Sequence, residues 1–297
     1  MDVNMSIDVN RYPKPDLPYR YEFAPDEPAA VQACVDAHGF AIVKQVLTAE
    51  LVEQLKGAVA AVLDPQGDVP EGESRSHLSF VEATPVMWKL LDHEPFMLMV
   101  RCTCAAEALT INRSAAILRK PGSAVVGWHT DWRGWAHTPP INPGTVLNRG
   151  PEPSGLWFYL TGSRPIHGGL CVIADSHLED WPGPAGFDLT EDRTSFVRRD
   201  QSRDDLTPFD VPGLVPLYTD GVDLIIFAHR TYHAAFPNQT DEVRLSCAIG
   251  FRDRENRTDA PWALPEPARK FMDALPQHLK GFVDGYTGFD GSWNAQT

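Results

Sequence analysis

After a Pro-, Tyr- and Asp-rich arm expected to be extended over residues 1 to about 25, apolar positions recur every three or four residues up to about residue 100. Past about residue 113 they contract into short runs separated by proline and glycine. The first texture predicts helices. Asp26 as cap with Pro28 in the first turn opens one over 26–37, and Gly39 supplies a left-handed stop. Phe40 to Val43 reads as a short buried strand. Thr48 then caps a second helix, in which Leu51, Leu55, Val59 and Leu63 share one face until Asp64-Pro65 ends it. Those aliphatics are core positions. The Gly-, Pro- and Glu-rich stretch 66–76 predicts a mobile surface loop, and further helical turns are expected over 85–91 and 95–100.

The second texture predicts strands. Apolar runs at 115–118, 124–128, 156–160, 170–174, 222–228 and 243–251 alternate with turn residues, the pattern of an all-β sandwich or barrel. Two interruptions, 132–154 and 177–212, are long enough to be lids or binding loops. A last short helix is expected over 266–275, where Pro276 would end it. No internal repeat or linker divides the chain. The expected organisation is one domain over 1–297: mainly helical support over 1–110, a β core over 111–255, and a helix and tail over 256–297.

Composition narrows the function classes. With 40 acidic against 26 basic residues, the formal net charge is −14, which repels phosphate backbones and anionic bilayers. Nucleic acid and membrane are therefore not expected partners, while an anionic small molecule could still bind where a few arginines invert the local field. Five cysteines without paired zinc spacing point to reduced thiols and a cytoplasmic chain. No apolar run reaches the length of a membrane span.

The candidate chemistry sits in Gly127-Trp128-His129-Thr130-Asp131-Trp132. Alternate residues of a strand share a face, so His129 and Asp131 aim an imidazole and a carboxylate at one point. A second imidazole from a distant strand would complete two nitrogens and one oxygen. That set leaves open positions on an octahedral metal, as in non-heme Fe(II) oxygenases. Both His229 and His233 follow the apolar run 222–228 and qualify as the distant ligand. The remaining histidines read as loop, surface or packing residues, although His177 could shape the site without ligating. Arg244 opens the next apolar strand, where a guanidinium can hold a carboxylate in a two-point contact. Trp132, Arg133, Trp135 and His137 follow the motif and are candidate substrate contacts, by stacking or ion pairing. Arg119-Lys120, ahead of a Pro-Gly turn, is a candidate anion contact but reads first as a solvated basic pair, and the acidic stretch 191–205 reads as a solvated loop.

Taken together, these blocks resemble the phytanoyl-CoA dioxygenase family of Fe(II)- and 2-oxoglutarate-dependent oxygenases. The matching elements are Gly39-Phe40; Trp128-His129-Thr130-Asp131; Gly168-Gly169-Leu170-Cys171-Val172-Ile173 leading to Ser176-His177; and His233 with Pro237-Asn238 and Arg244. The resemblance spans roughly 28–252. It implies His129, Asp131 and His233 as iron ligands, because Asn238 and Arg244 lie five and eleven residues after His233 and fit no equivalent spacing from His229. It further implies Arg244 as the partner of the far carboxylate of 2-oxoglutarate. Trp157, eleven residues before Gly168, matches an aromatic position lining the cosubstrate pocket. Departures are Ala235, where a small hydroxyl residue is common, and Thr130, where a longer polar residue can stand.

The resemblance implies a mainly β fold with flanking helices: a double-stranded β-helix (jelly roll, cupin-like). It implies a dioxygenase that takes Fe(II), 2-oxoglutarate and O2 and oxidises a C–H bond, releasing succinate and CO2. Because Asp131 is retained, halogenation is not expected. No basic patch suits the phosphates of a coenzyme A thioester, which favours a small metabolite or natural product as substrate. Two other classes keep the same residues: a cupin-like dioxygenase or isomerase that makes no use of 2-oxoglutarate, and a non-catalytic jelly-roll binding protein.

Overall fold

A computed structural model describes residues 7–131, 154–200, 208–255, 260 and 262–290. Helix α1 (Pro28–His38) ends where expected, because Gly39 takes a left-handed φ of 80°. Its missing side chain is needed twice over. A Cβ there would sit 2.6 Å from Thr231 Oγ1 and 2.7 Å from His177 Nδ1. Helix α2 (Ala49–Leu63) starts at Thr48, whose hydroxyl accepts from the Leu51 amide at 3.2 Å, and it buries Leu51, Leu55, Val59 and Leu63 as its spacing predicts. The segment 85–91 forms a 3-10 helix, Pro85–Asp92. Two further helices follow from the first half of the chain, α3 (Phe80–Ala83) and α4 (Glu94–Cys104), and α5 (Glu266–Ala274) lies near its end.

Thirteen strands are found among the described residues: β1 (Glu22–Phe23), β2 (Phe40–Val43), β3 (Ser74–Leu78), β4 (Leu109–Arg119), β5 (Val126–His129), β6 (Ser154–Tyr159), β7 (Leu170–Ile173), β8 (Phe187–Leu189), β9 (Phe196–Arg198), β10 (Leu214–Pro216), β11 (Leu224–Ala228), β12 (His233–Ala235) and β13 (Arg244–Asp253). Seven of them make a sheet in the order β1-β2-β11-β6-β13-β4-β3, and four make a second in the order β10-β7-β12-β5. Strands β8 and β9 form a hairpin inside 177–212, which the sequence suggested only as a loop. The two sheets share one cavity between them, and the jelly-roll expectation is met.

Alternation along the large sheet decides which residues meet that cavity. On β6, Leu156 and Phe158 belong to the helix-side core, with the Phe158 ring 5.4 Å from that of Phe96 in α4. Trp157 and Tyr159 face the other way, into the cavity. On β4 the cavity-side residues are Arg113, Ala115, Ile117 and Arg119. The N-terminal helices pack on the opposite face, where β11 is buried along its whole length.

Two expectations are corrected. Ser74–Leu78 is the edge strand of the large sheet, paired antiparallel with β4, and not part of a mobile loop. Its polar residues are largely exposed, so no apolar alternation marked it. Arg119-Lys120 is not a solvated pair. Arg119 is 1% exposed, and Lys120 binds the carboxylate of Asp64 at 2.8 Å with both side chains mostly covered. Among the described residues, no helix is long and apolar enough to cross a membrane.

Candidate metal centre

Strands β5 and β12 are neighbours in the small sheet, with His129 directly opposite His233. This rung places the two imidazole rings 4.2 Å apart between centroids. Asp131, two residues past His129, turns its carboxylate to the same place: Oδ1 lies 3.7 Å from His233 Nε2. Donor atoms of His129, Asp131 and His233 all lie within 4.8 Å of one another, and they form the one such group among the described residues. His229 is not part of it. That residue is buried with Nε2 facing the Arg113 guanidinium at 3.0 Å, so the structure brings together the set chosen by the Asn238 and Arg244 spacing.

The ring orientations are fixed by backbone carbonyls. The Nδ1–H of His129 donates to Gly127 O at 2.7 Å, and that of His233 donates to Thr231 O at 3.0 Å. A carbonyl can only accept, so each Nδ1 carries the proton and each Nε2 keeps its lone pair for a metal. Burial, with His129 beside it, pushes His233 down to about 4, so its imidazole is neutral at physiological pH. The carboxyl of Asp131 has the opposite history. Burial would raise it, but the Arg113 guanidinium and then the three imidazoles of His233, His229 and His129 hold it well below the usual carboxylate range. Arg113 Nη2 donates to Asp131 Oδ2 at 3.3 Å, leaving Oδ1 toward His233. Two imidazole nitrogens and one carboxylate oxygen form a donor set suited to a divalent first-row metal.

The cavity in front of this group has a volume of about 460 Å³ and reaches Trp157, Tyr159, Arg119 and Arg244. Arg244 is 2% exposed, donates to Gly168 O at 3.0 Å, and lies over the Tyr159 ring at 4.7 Å. Trp157 and Arg244 therefore line the same cavity as His129, Asp131 and His233. Ala235, which replaces a common hydroxyl, lines the same cavity. A second space of about 260 Å³ continues past Asp131 and Trp157 along Ala115, Gly155, Ala248 and Gly250, with Arg113 on its wall.

Tyr159 and Arg113 escaped the sequence reading, and Arg119 was read first as part of a solvated pair. Tyr159 shares a face with Trp157 and could have been found by counting two along the strand. Arg113 and Arg119 lie on the cavity side of β4, which runs six residues further toward the N-terminus and one further toward the C-terminus than the apolar run 115–118 that marked it. The proposed substrate contacts Trp132, Arg133, Trp135 and His137 lie outside the described residues. Other histidines have duties elsewhere: His93 faces Val46 O at 2.6 Å, His177 faces Asp36 O at 3.0 Å, and His38 pairs with Asp175 at 2.9 Å.

The family model described as phytanoyl-CoA dioxygenase matches residues 35–246. No curated protein matches the chain by sequence. Among solved structures, the chain is similar to the non-heme α-ketoglutarate-dependent carbocyclase SnoK of nogalamycin biosynthesis, at 19% identity over 76% of this chain and 83% of that one, with a TM-score of 0.57. It is similar to HygX from Streptomyces hygroscopicus, solved with nickel and 2-oxoglutarate, at 16% identity over 75% and 86% of the two chains, with a TM-score of 0.57. It is also similar to EctD from S. alaskensis in its apo form, at 22% identity over 84% and 86%, with a TM-score of 0.56. At these identities the likeness speaks to the fold.

Proposed function

The chain belongs to the phytanoyl-CoA dioxygenase family, and on that premise we propose that it is an iron- and 2-oxoglutarate-dependent oxygenase of a small organic molecule. One observation carries the reading: the His129–Asp131–His233 donor set opens into the same cavity as the buried Arg244. A metal site alone would suit many reactions. A buried guanidinium across the cavity calls for an anion as well.

His129, Asp131 and His233 would hold iron, and Arg244 the far carboxylate of 2-oxoglutarate, with Trp157 as a wall of that pocket. Iron bound with 2-oxoglutarate and dioxygen supplies oxidative decarboxylation to succinate and CO2, coupled to oxidation of a substrate C–H bond. The residues of the chain orient and protect. Thr231 O and Gly127 O fix the two rings, and Arg113 fixes the outer oxygen of Asp131. Phe227, 1% exposed and 4.6 Å from the His233 ring between centroids, keeps water from one side of that ligand. The reaction at the carbon is hydroxylation in this reading. SnoK and SnoN, described as a carbocyclase and an epimerase, mark ring closure and epimerisation as outcomes to test for on the same fold.

We place the whole chain in one oxygenase domain. Four of its five free cysteines are buried, in keeping with a reducing cytoplasm. The substrate class is a small metabolite or natural product. HygX has been solved with hygromycin B bound, and SnoN with a nogalamycin-type compound.

The test is an anaerobic titration of the metal-free protein with Fe(II) and then 2-oxoglutarate, followed by visible absorption. A weak charge-transfer band that needs both additions, and that is lost in His233→Ala, is the expected result. Iron binding with no band and no change in iron affinity on adding 2-oxoglutarate would sink the assignment and leave the cupin-like alternative.

A further inference from the structure

Arg119 and Arg244 face each other across the β4–β13 pair, in direct register. They are 1% and 2% exposed, and both line the cavity that also meets the metal-binding set. Among the described residues, every hydrogen bond either makes goes to a neutral acceptor. Arg119 donates to Phe236 O at 3.0 Å and to the carbonyls of Ser123 and Ala124, and Arg244 donates to Gly168 O at 3.0 Å and to Ser246 Oγ at 3.3 Å. The Nε of each is buried without a hydrogen-bond partner. No carboxylate of the described residues pairs with either side chain.

Two guanidinium groups in one buried corner without a counter-charge are costly, since burial penalises each ion and their repulsion adds to it. Burial, and then the nearness of Arg244, pushes Arg119 down to about 9, which still leaves it cationic at neutral pH. The corner is built to keep both. Gly168 lies between them: its carbonyl accepts from Arg244, and a Cβ on it would come within 3.3 Å of Arg119 Nη1. Carbonyls orient a guanidinium but do not neutralise it, and a carboxylate does both.

We propose that Arg119 and Arg244 form one two-guanidinium anion site, which takes one carboxylate of a short dicarboxylate whether or not a metal is bound. This rests on the 2-oxoglutarate reading above and adds to it a second binding residue and an order of events. The far carboxylate docks first at the arginine corner, and the other end of the molecule then meets the metal-binding set. Succinate keeps the same terminal carboxylate, so the corner also retains the product. Arg119 is thus a cosubstrate-binding residue as well as a tie between β4 and the backbone of Phe236.

The test uses the full chain stripped of metal with a chelator. Glutarate is the probe, because it has the length of 2-oxoglutarate without the oxo group that helps chelate a metal. Neutral glutaramide is the control. Calorimetric titration of the wild type should show glutarate binding and no glutaramide binding. Arg119→Met and Arg244→Met should each weaken glutarate on the order of tenfold to a hundredfold, as loss of a charge-assisted contact does. Arg119→Lys keeps the charge and stem, and settles the matter if the methionine variant fails to fold. It should bind roughly tenfold more weakly, because an ammonium cannot hold three carbonyls and a carboxylate in one plane. Glutarate affinity unchanged in a folded Arg119 variant would overturn the paired site. No glutarate binding by metal-free wild type would overturn metal-independent docking. If the iron and 2-oxoglutarate band still forms in that case, the oxygenase reading stands and only this inference falls. If the band is absent too, both fall.

Discussion

The two ends of the central cavity are stabilised in different ways. At the metal end each ionisable group already has a protein partner: His129 has Gly127 O, His233 has Thr231 O, and Asp131 has Arg113. At the arginine end the partners among the described residues are neutral carbonyls and a hydroxyl, which leave the charge standing. The first end is organised in advance to hold a cation with little rearrangement. The second is organised to hold an anion, and the folded chain carries a local electrostatic penalty until one arrives. One cavity thus contains a site complete in geometry and a site incomplete in charge.

That contrast is easiest to break at the metal end. His233→Ala or Asp131→Ala should lower Fe(II) affinity by more than about a hundredfold, since ligand loss exceeds the tenfold to hundredfold cost of losing an outer partner. Equilibrium dialysis would measure it. Retention of more than a tenth of the affinity would mean the metal sits elsewhere. Next in size is Arg244→Met, expected to weaken 2-oxoglutarate by tens of times while leaving Fe(II) affinity within about twofold. A matching fall in both would show that the two ends are one coupled unit. Arg113→Met tests the support of Asp131. Fe(II) affinity should drop on the order of tenfold, with metal-free glutarate binding unchanged, and a fall in glutarate binding would place Arg113 in the anion site instead. The smallest effect lies outside both ends. Thr48→Ala removes the cap of α2 and should cost about 1 kcal/mol, or ~2 °C in Tm, without altering either affinity.

How much of this was legible depended on whether a residue stood in a periodic context. His129 and Asp131 were readable because a period of two is rigid and the Trp128 strand preceded them. Helix α2 was readable to its cap because Thr48 and the Leu51, Leu55, Val59 stripe obey one rule each. The distant ligand was not fixed by pattern alone. His229 and His233 both follow β11, and the spacing to Asn238 and Arg244 was needed to separate them. Arg119 was misread because an Arg-Lys-Pro-Gly sequence has the composition of an exposed turn. Its burial comes from Arg244 of β13 and the carbonyls near Ala124 and Phe236, all distant or folded back in ways no local window contains. Strand β3 failed for the converse reason: an edge strand with exposed polar side chains pairs through its backbone and leaves little pattern.

The rung that sets His129 opposite His233 has a consequence for how the chain is made. Its two halves are separated by more than a hundred residues of sequence, yet β5 and β12 are direct neighbours in the sheet. Long-range pairings of this kind close late, because the loop entropy must be met before the contact forms. During synthesis the imidazole of His129 and the carboxylate of Asp131 leave the ribosome long before their third companion exists. A nascent or cleaved chain lacking β12 offers only a weak two-donor fragment. The full donor set is thereby tied to a finished fold, and a redox-active ion is held tightly only once the surrounding walls are there to contain it.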